Sequence, residues 1–552
     1  MNLNIFGSLL VCGLHLTLTF GGDVTLNITE DGHATISNDL FNVTFDNNAS
    51  VLALGKNGKD LVGTVTARTF YFDWNAGGGK FLPTEFKIIT NSSNLVHIMY
   101  FQPFSHKRLE MDGFYQWLKV QNNGNETVKM SEFRMVYRLS KSLMPYINNM
   151  RRNGVSPNNF NSMPTIQDTT WQLTDGSYWS KYDYVSYIRE TPWFGVYGGG
   201  VGSWVISPSR EYHGGGPLKQ ELLTQHESLM CHYLTSKHFG TLEFDTKPGW
   251  SKFYGPWLLY INSGDNEMVV EDVARQAKIE IDQWPYNWME DSDFPIERGT
   301  VMGSVTGQLS AEVVIYDSFD EPFEYQTRGY LYNNKTDENG NYVIKNIRPG
   351  NYSLIIYPLA GQGSENLITK NITVVSGNQV LDPLDLTEPI GILWAVGETN
   401  RRSDNFRYSD ELRNFYWHMF PPENLTFYIG KSNSNKDWYY AQTHNGTWKV
   451  VFEDMPNGRT RTLRIAIAAA SGSLIFNLQS AKLRVSLNDA LIFEKEYENE
   501  GAIYRGMLQS GKFYSEKIEI PSENVTNGTN VIALTVVYGG FMYDAISYQI
   551  ND

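Results

Sequence analysis

The sequence predicts an all-β protein built as three successive domains. Three observations carry that prediction. Apolar and polar residues alternate with a period of two through long stretches, as in Thr35-Ile-Ser-Asn and Leu40-Phe-Asn-Val-Thr-Phe, with Gly, Asn and Asp turns between them, which is the pattern of antiparallel strands. Only one segment has a clear helical period. The chain is 552 residues long, too long for a single hydrophobic core, and its pattern changes character twice.

Residues 1–21 read as a signal peptide, an apolar stretch ending in small residues with cleavage near Gly21 or Gly22. It is short for a membrane span and interrupted by Gly, His and Thr, and no later apolar run approaches that length. The first domain is expected over residues 22–298. Its helix is expected in Met268–Asp282, with Val270, Val273, Ala277 and Ile281 near one face and Asp265 or Asn266 as cap.

A new pattern opens at Gly299-Thr-Val-Met-Gly-Ser-Val-Thr-Gly and runs to Ile-Ile-Tyr357. Its Glu338-Asn-Gly-Asn turn between alternating runs is a hairpin signal. Residues 299–387 suit a small fibronectin type III-like or transthyretin-like sandwich. From Glu388 to Asp552 the strand-rich chain carries Trp394, Trp417, Tyr428, Trp438, Tyr439, Tyr440 and Trp448. This predicts a jelly-roll sandwich of the carbohydrate-binding kind, with most of these rings in its core and exposed ones free to stack on sugars.

Composition narrows the function. Hydrophobic residues make up 41% and charged residues 19%, a globular balance. The net charge of −15, with no basic stripe, argues against nucleic acid as a partner. Cys231 stands alone once Cys12 leaves with the signal peptide, so no internal disulfide is expected. Twelve N-glycan acceptor sequons begin at Asn27, Asn42, Asn48, Asn91, Asn125, Asn334, Asn351, Asn371, Asn424, Asn445, Asn524 and Asn527. Together with the signal peptide they predict a secreted, extracellular glycoprotein. No membrane association is expected, and a monomer is.

An acidic protein that binds an acidic polymer needs a local basic cleft. His213, His226, His232 and His238 cluster with Lys219 and Lys237, and Lys181 lies upstream in Trp179-Ser-Lys-Tyr-Asp-Tyr. The spacings His226-x5-His232-x5-His238 fit no compact zinc pattern, so no metal is expected at this cluster. No Gly-x-Ser-x-Gly elbow is present. A paired-carboxylate glycosidase stays open, because acidic residues are plentiful.

The run Gly202-Ser-Trp-Val-Ile-Ser-Pro-Ser-Arg-Glu-Tyr-His-Gly-Gly-Gly-Pro-Leu-Lys-Gln-Glu-Leu resembles the signature of rhamnogalacturonan lyases. So do Ser180-Lys-Tyr-Asp, Ser236-Lys-His-Phe-Gly and Phe253-Tyr-Gly-Pro-Trp-Leu-Leu-Tyr-Ile-Asn. The resemblance covers essentially the whole mature chain. It implies a galactose-mutarotase-like β-sandwich, then a fibronectin type III-like domain, then a carbohydrate-binding-like jelly roll. It implies Lys181 as the base and His238 as its assistant. Arg138, in Phe133-Arg-Met-Val-Tyr-Arg-Leu, and Tyr233 are implied as substrate-binding residues. Cys231 stands where a second family tyrosine is expected. A cleft glutamate is also implied, with Glu267 the choice and Glu243 its competitor. No cofactor is required by the implied chemistry; a structural calcium is allowed, since some carbohydrate-binding jelly rolls hold one.

These residue types suit β-elimination from a uronate, the implied substrate being the rhamnogalacturonan I backbone of pectin. An arginine pairs with the carboxylate and spreads the developing charge. A lysine takes the C5 proton only when neutral, which needs its pKa lowered from ~10.4 toward roughly 7–8. Strict alternation puts Tyr233 and His238 on opposite faces of a strand, so a bulge or strand end must intervene if both line one cleft. Residues 299–552 are expected to supply no proton-transfer group, leaving the first domain able to turn over short substrates alone. A non-catalytic pectin-binding protein and a sugar mutarotase or hydrolase on the same scaffold are the competing readings.

Overall fold

The computed structural model describes residues 12–17 and 24–551, except 39, 64, 66–67, 76–78, 84, 94, 102–108, 112–114, 156, 158–161, 226, 241–242, 363–366, 388, 412–418, 473–479, 502 and 506–507. His226, Trp417 and most of the expected signal peptide therefore lie outside the described residues. The all-β reading holds, with strands dominating each part of the chain.

The first part is a sandwich. A ten-stranded sheet runs from Asn153–Val155 at one edge through Trp193–Gly198, Val201–Ile206, Ser251–Ser263 and Tyr115–Gln121 to Glu85–Ser92 at the other. A five-stranded sheet faces it, in the order Thr224–Gln225, Leu229–Ser236, Glu132–Arg138, Phe70–Trp74, Gly79–Lys80. One core draws on both, including Phe72, Phe133 and Leu234 from the smaller sheet and Val196, Trp204 and Leu259 from the larger. Cys12–Thr17 adds a strand to the larger sheet, beside Leu109–Met111 and Tyr115–Gln121. Those two strands also pair directly with each other, so the sheet stays continuous without it.

The helix spans Asn266–Gln283 and is capped by Asp265, whose side chain accepts from the N–H groups of Glu267 and Met268. It packs across Trp193–Gly198, Val201–Ile206 and Ser251–Ser263. Its buried face is Val269, Val273, Ala277 and Glu280, one position away from the expected Val270 and Ile281. Glu280 wins its inward place through hydrogen bonds from Tyr115 Oη (2.9 Å) and from Tyr286. Ile281 is left 40% exposed.

Residues from Gly299 form two four-stranded sheets around a separate core that includes Val301, Val313, Ile344, Leu354 and Leu386. The Glu338-Asn-Gly-Asn turn is present, with Asp337 Oδ1 accepting from the N–H groups of Asn339 (2.9 Å) and Asn341 (2.8 Å). It is not a hairpin. Leu331–Lys335 pairs in one sheet and Asn341–Ile347 in the other, so the turn is a corner between sheets. Local turn chemistry is the same for both, and only the partners differ.

From Ile392 a four-stranded and a five-stranded sheet enclose a third core, where Trp394, Trp438 and Trp448 are buried. Tyr440 is buried too, while Tyr428 is 46% exposed.

Candidate active site

Strand Glu132–Arg138 is the centre of the five-stranded sheet, and its alternation gives the sheet two unlike faces. Phe133, Met135 and Tyr137 join the sandwich core. Glu132, Arg134, Val136 and Arg138 point the other way. Register sets Arg134 between Asp73 and Tyr233, and Val136 between Tyr71 and Cys231. Arg134 grips Asp73 with two bonds, Nε to Oδ1 at 2.8 Å and Nη2 to Oδ2 at 3.1 Å. Its Nη1 lies 2.7 Å from Glu132 Oε1 and donates to the Tyr233 hydroxyl at 3.1 Å. Arg138, further along the same face, donates to Tyr71 Oη at 3.2 Å.

Lys181 opens a single 3-10 turn, Lys181–Tyr184. Ser180 and Asp183 make a capping box around it: the Ser180 hydroxyl accepts from Tyr182 N–H (3.2 Å), and Ser180 N–H donates to Asp183 (3.3 Å). That reciprocal pair explains why Ser and Asp flank the lysine. Tyr182 turns its hydroxyl to Asp168 Oδ2 at 2.9 Å. The Lys181 amine lies 4.9 Å from the Tyr182 ring and has no hydrogen bond or ion pair with any described residue. Burial lowers its pKa from the ordinary lysine value; Asp168 opposes the shift, Arg505 adds to it, Cys231 opposes it and Arg134 adds to it.

His238 follows the end of strand Leu229–Ser236. Its N–H donates to Ser236 Oγ at 3.2 Å, and its Nδ1 lies 3.4 Å from that hydroxyl and 3.7 Å from Glu132 Oε2. Lys219 staples the loop from below, donating to Ser236 O (3.0 Å) and Phe239 O (2.5 Å) while pairing with Glu221 at 3.1 Å. Burial, Arg505, Lys181, Lys219 and Arg134 together push the His238 imidazole down to about 3. An imidazole held that low is neutral at ordinary pH.

The C-terminal domain reaches this site. Arg505, in the turn Ile503–Arg505, donates to Asp168 Oδ2 at 3.0 Å and to His238 O at 2.6 Å. Tyr440, Ala468, Leu508 and Met542 pack in one cluster with Tyr182, Cys231, Tyr233 and Phe239. The later domains therefore help to build the cleft, although Arg505 itself is no proton-transfer group.

Other expected residues fall elsewhere. Glu267 is exposed in the first turn of the helix, on the far sheet. Glu243 pairs with Lys237 at 2.7 Å. The glutamate beside His238 is Glu132, which the alternation Glu132-x-Arg134-x-Val136-x-Arg138 places with the arginines and which the sequence reading passed over. Tyr233, expected to touch substrate, is only 1% exposed and supports Arg134 and His238 instead. His213 and His232 are core residues, rings 5.2 Å apart, with His232 4.7 Å from Trp257. Burial also lowers the pKa of both. Among the described residues no group of three or more His, Cys, Asp or Glu is arranged to hold a metal.

The Gly-rich signature joins domains rather than lining the cleft. Glu211 pairs with Arg298 (2.7 Å), at the end of the first domain, and with Arg348 (2.9 Å) of the middle domain. Gly215, at φ +85°, donates to Gln326 O at 2.7 Å, a conformation that favours glycine. Gln220 accepts from Leu508 N–H at 2.8 Å and donates to Ser510 in the C-terminal domain.

A sandwich that carries a half-buried amine with no described ion pair, a neutral imidazole and an arginine-lined face, backed by two smaller β-domains, has the construction of a polysaccharide lyase. Residues 297–380 match polysaccharide lyase family 4, domain II, and residues 392–548 match domain III of the same family. The chain is 37% identical to a rhamnogalacturonate lyase of Dickeya dadantii (strain 3937), over 96% of each chain. It is 23% identical to a probable rhamnogalacturonate lyase C of Aspergillus oryzae, covering 92% of this chain and 87% of that one. Among solved structures, a polysaccharide lyase matches with TM-score 0.23 at 10% identity, over 65% of this chain and 47% of that one, a likeness that carries no argument. The chain belongs to polysaccharide lyase family 4.

Proposed function

We propose that this protein is a secreted endolyase that cleaves rhamnosyl-(1→4)-galacturonosyl bonds of rhamnogalacturonan I. The observation that carries the reading is the Lys181 amine: half-buried, without a described ion pair, lowered in pKa and near enough to His238 to help push its imidazole down. In the reaction Lys181 takes the proton from C5 of the galacturonosyl unit. The C5–H electrons form the C4=C5 double bond, the C4–O bond breaks, and the departing rhamnosyl oxygen collects a proton. Arg134 is already neutralised by Asp73 and Glu132, so Arg138 is the better partner for the uronate carboxylate. His238 lies beside the leaving oxygen as a hydrogen-bonding group whose proton affinity rises when the uronate charge arrives.

Lys181→Ala tests this directly. The 4,5-unsaturated product absorbs in the ultraviolet, and its formation from purified rhamnogalacturonan should fall by more than about a thousandfold, general-base catalysis contributing roughly 10²–10⁴. Lys181→Arg should fail equally, since a guanidinium stays charged. Activity within about tenfold of wild type, roughly 1.4 kcal/mol of barrier, with an unchanged circular dichroism spectrum, removes Lys181 from the role.

The depressed His238 favours a second reading, in which the neutral imidazole takes the C5 proton and the Lys181 ammonium protonates the leaving oxygen. The two differ in sign. With Lys181 as base, kcat/KM rises as pH climbs through the lysine pKa; with Lys181 as acid, it falls.

Secretion rests on the sequons. All twelve acceptor asparagines are exposed, whereas fewer than half of the other described asparagines are. None lies between Asn125 and Asn334, the interval that holds the Lys181 and His238 elements. An N-glycan-removing amidase should lower the mass of the protein recovered from the medium; an unshifted mass sinks the glycoprotein reading.

A further inference from the structure

Three charged groups and a thiol act on the Lys181 amine, one of them from the C-terminal domain. Asp168 stands beside it because Thr170 pairs with Ser180 in register and Lys181 N–H donates to Thr169 O at 3.2 Å. Thr169, a β-branched residue, adopts φ +45° there, a conformation such residues rarely take. The other groups acting on the amine are Arg505, Cys231 and Arg134, with the Tyr182 ring below it. Asp168 is the only carboxylate among them. A carboxylate next to a lysine ordinarily holds it protonated, the wrong state for a base.

Asp168 is not available to do so. Its Oδ2 receives both the Tyr182 hydroxyl and Arg505 Nε. The guanidinium carbon of Arg505 lies 5.5 Å from the Tyr182 ring, and the ion pair is mostly shielded, with side chains 21% and 23% exposed. The second arm of Arg505 holds His238 O, in the loop that Lys219 staples from the opposite side. Facing His238 are Glu132, Ser236, Lys181, Lys219, Arg134 and Arg505.

We infer that Arg505 of the C-terminal domain is a positioning residue of the active site, taking up the Asp168 carboxylate so that Lys181 stays unpaired and anchoring the loop that carries His238. This rests on Lys181 as the base. Losing Arg505 then acts twice in one direction: Asp168 is freed to pair with the amine, and a neighbouring positive charge disappears. Both stabilise the ammonium and raise the pH at which the base becomes available.

The test is the pH profile of kcat/KM for Arg505→Gln, Arg505→Lys and the double variant Arg505→Gln/Asp168→Asn in the full-length protein. In Arg505→Gln the ascending limb should move up by about one unit, the low end for a carboxylate within reach of a cation. Below the limb, activity should then be about tenfold lower. Asp168→Asn in that background should bring the limb back, because no carboxylate remains to hold the proton. Arg505→Lys keeps the charge and should leave the limb in place. An Arg505→Gln limb that coincides with wild type overturns the inference, as does a loss uniform across pH that Asp168→Asn leaves unrepaired. Lys181→Ala separates the two claims. If it is inactive at every pH and the Arg505→Gln limb is unmoved, the Arg505 role alone falls; if it is active, the base assignment falls and takes the Arg505 role with it.

Discussion

Tyr233 and His238 meet ring against ring, centroids 5.5 Å apart at an interplanar angle of 66°, although a spacing of five puts them on opposite faces of a straight strand. Two irregularities bring them together. The register against Glu132–Arg138 shifts, so that Phe133 faces Thr235 while Arg134 faces Tyr233, and the strand ends at Ser236. Such an added residue re-aims the chain beyond it.

The first prediction follows from that pocket. With His238 pushed down to about 3, its folded-state pKa is depressed and the imidazole stays neutral throughout pH 5–9. The kcat/KM profile, which reports the free enzyme, should therefore show the ascending limb of Lys181 and no descending limb from His238 in that range. His238→Gln should lower kcat without adding or removing a limb. A descending limb in wild type that disappears in His238→Gln shows instead that the imidazole is protonated in the free protein.

The second prediction concerns the signature. Glu211 is fully buried between Arg298 and Arg348, at 2.7 and 2.9 Å. Glu211→Gln leaves two buried guanidinium groups short of their counter-ion, a loss of about 3–5 kcal/mol when one partner of a buried pair is removed. Urea unfolding should show a lower midpoint, with KM for rhamnogalacturonan fragments near wild type because the residue lies away from the cleft. Undiminished stability with a raised KM would make the signature a substrate contact.

Much of the fold was legible because alternation is a local property. Phe133, Met135 and Tyr137 against Glu132, Arg134 and Arg138 is enough to define a strand with two faces. The same alternation in Met230-Cys-His-Tyr-Leu places His232 with the core residues Met230 and Leu234, so its burial could have been read. Lys181 and His238 were found through short motifs whose capping and strand-end geometry is also local. What was hidden depends on distant pairing. Nothing near Asp168 or Arg505 marks them, and they are 337 positions apart. The middle-domain turn shows the same limit, since its Asx geometry is identical whether the flanking strands share a sheet or not. Glu267 was misplaced for this reason: helix position is readable, but the sheet beneath it is not.

The last prediction is a pH dependence of stability rather than activity. Glu500 and Asp544 are buried in the C-terminal domain, 5% and 0% exposed. Burial pushes the Glu500 carboxyl up to about 8, against bonds from the N–H groups of Lys512 and Ala470, and pushes Asp544 up to about 7. In the unfolded chain both lose their protons near pH 4. Between about pH 4.5 and 8 the unfolded state therefore binds fewer protons than the folded one, and stability falls as pH rises. Glu500→Gln replaces the protonated carboxyl by a neutral amide of similar shape. Scanning calorimetry should show the wild-type transition of this domain dropping from pH 4.5 to pH 8, with a shallower drop in Glu500→Gln and the shallowest in Glu500→Gln/Asp544→Asn. The variants should be the more stable proteins at pH 8 and no better than wild type at pH 4.5. Parallel declines in all three proteins would mean that neither carboxyl keeps its proton in the fold.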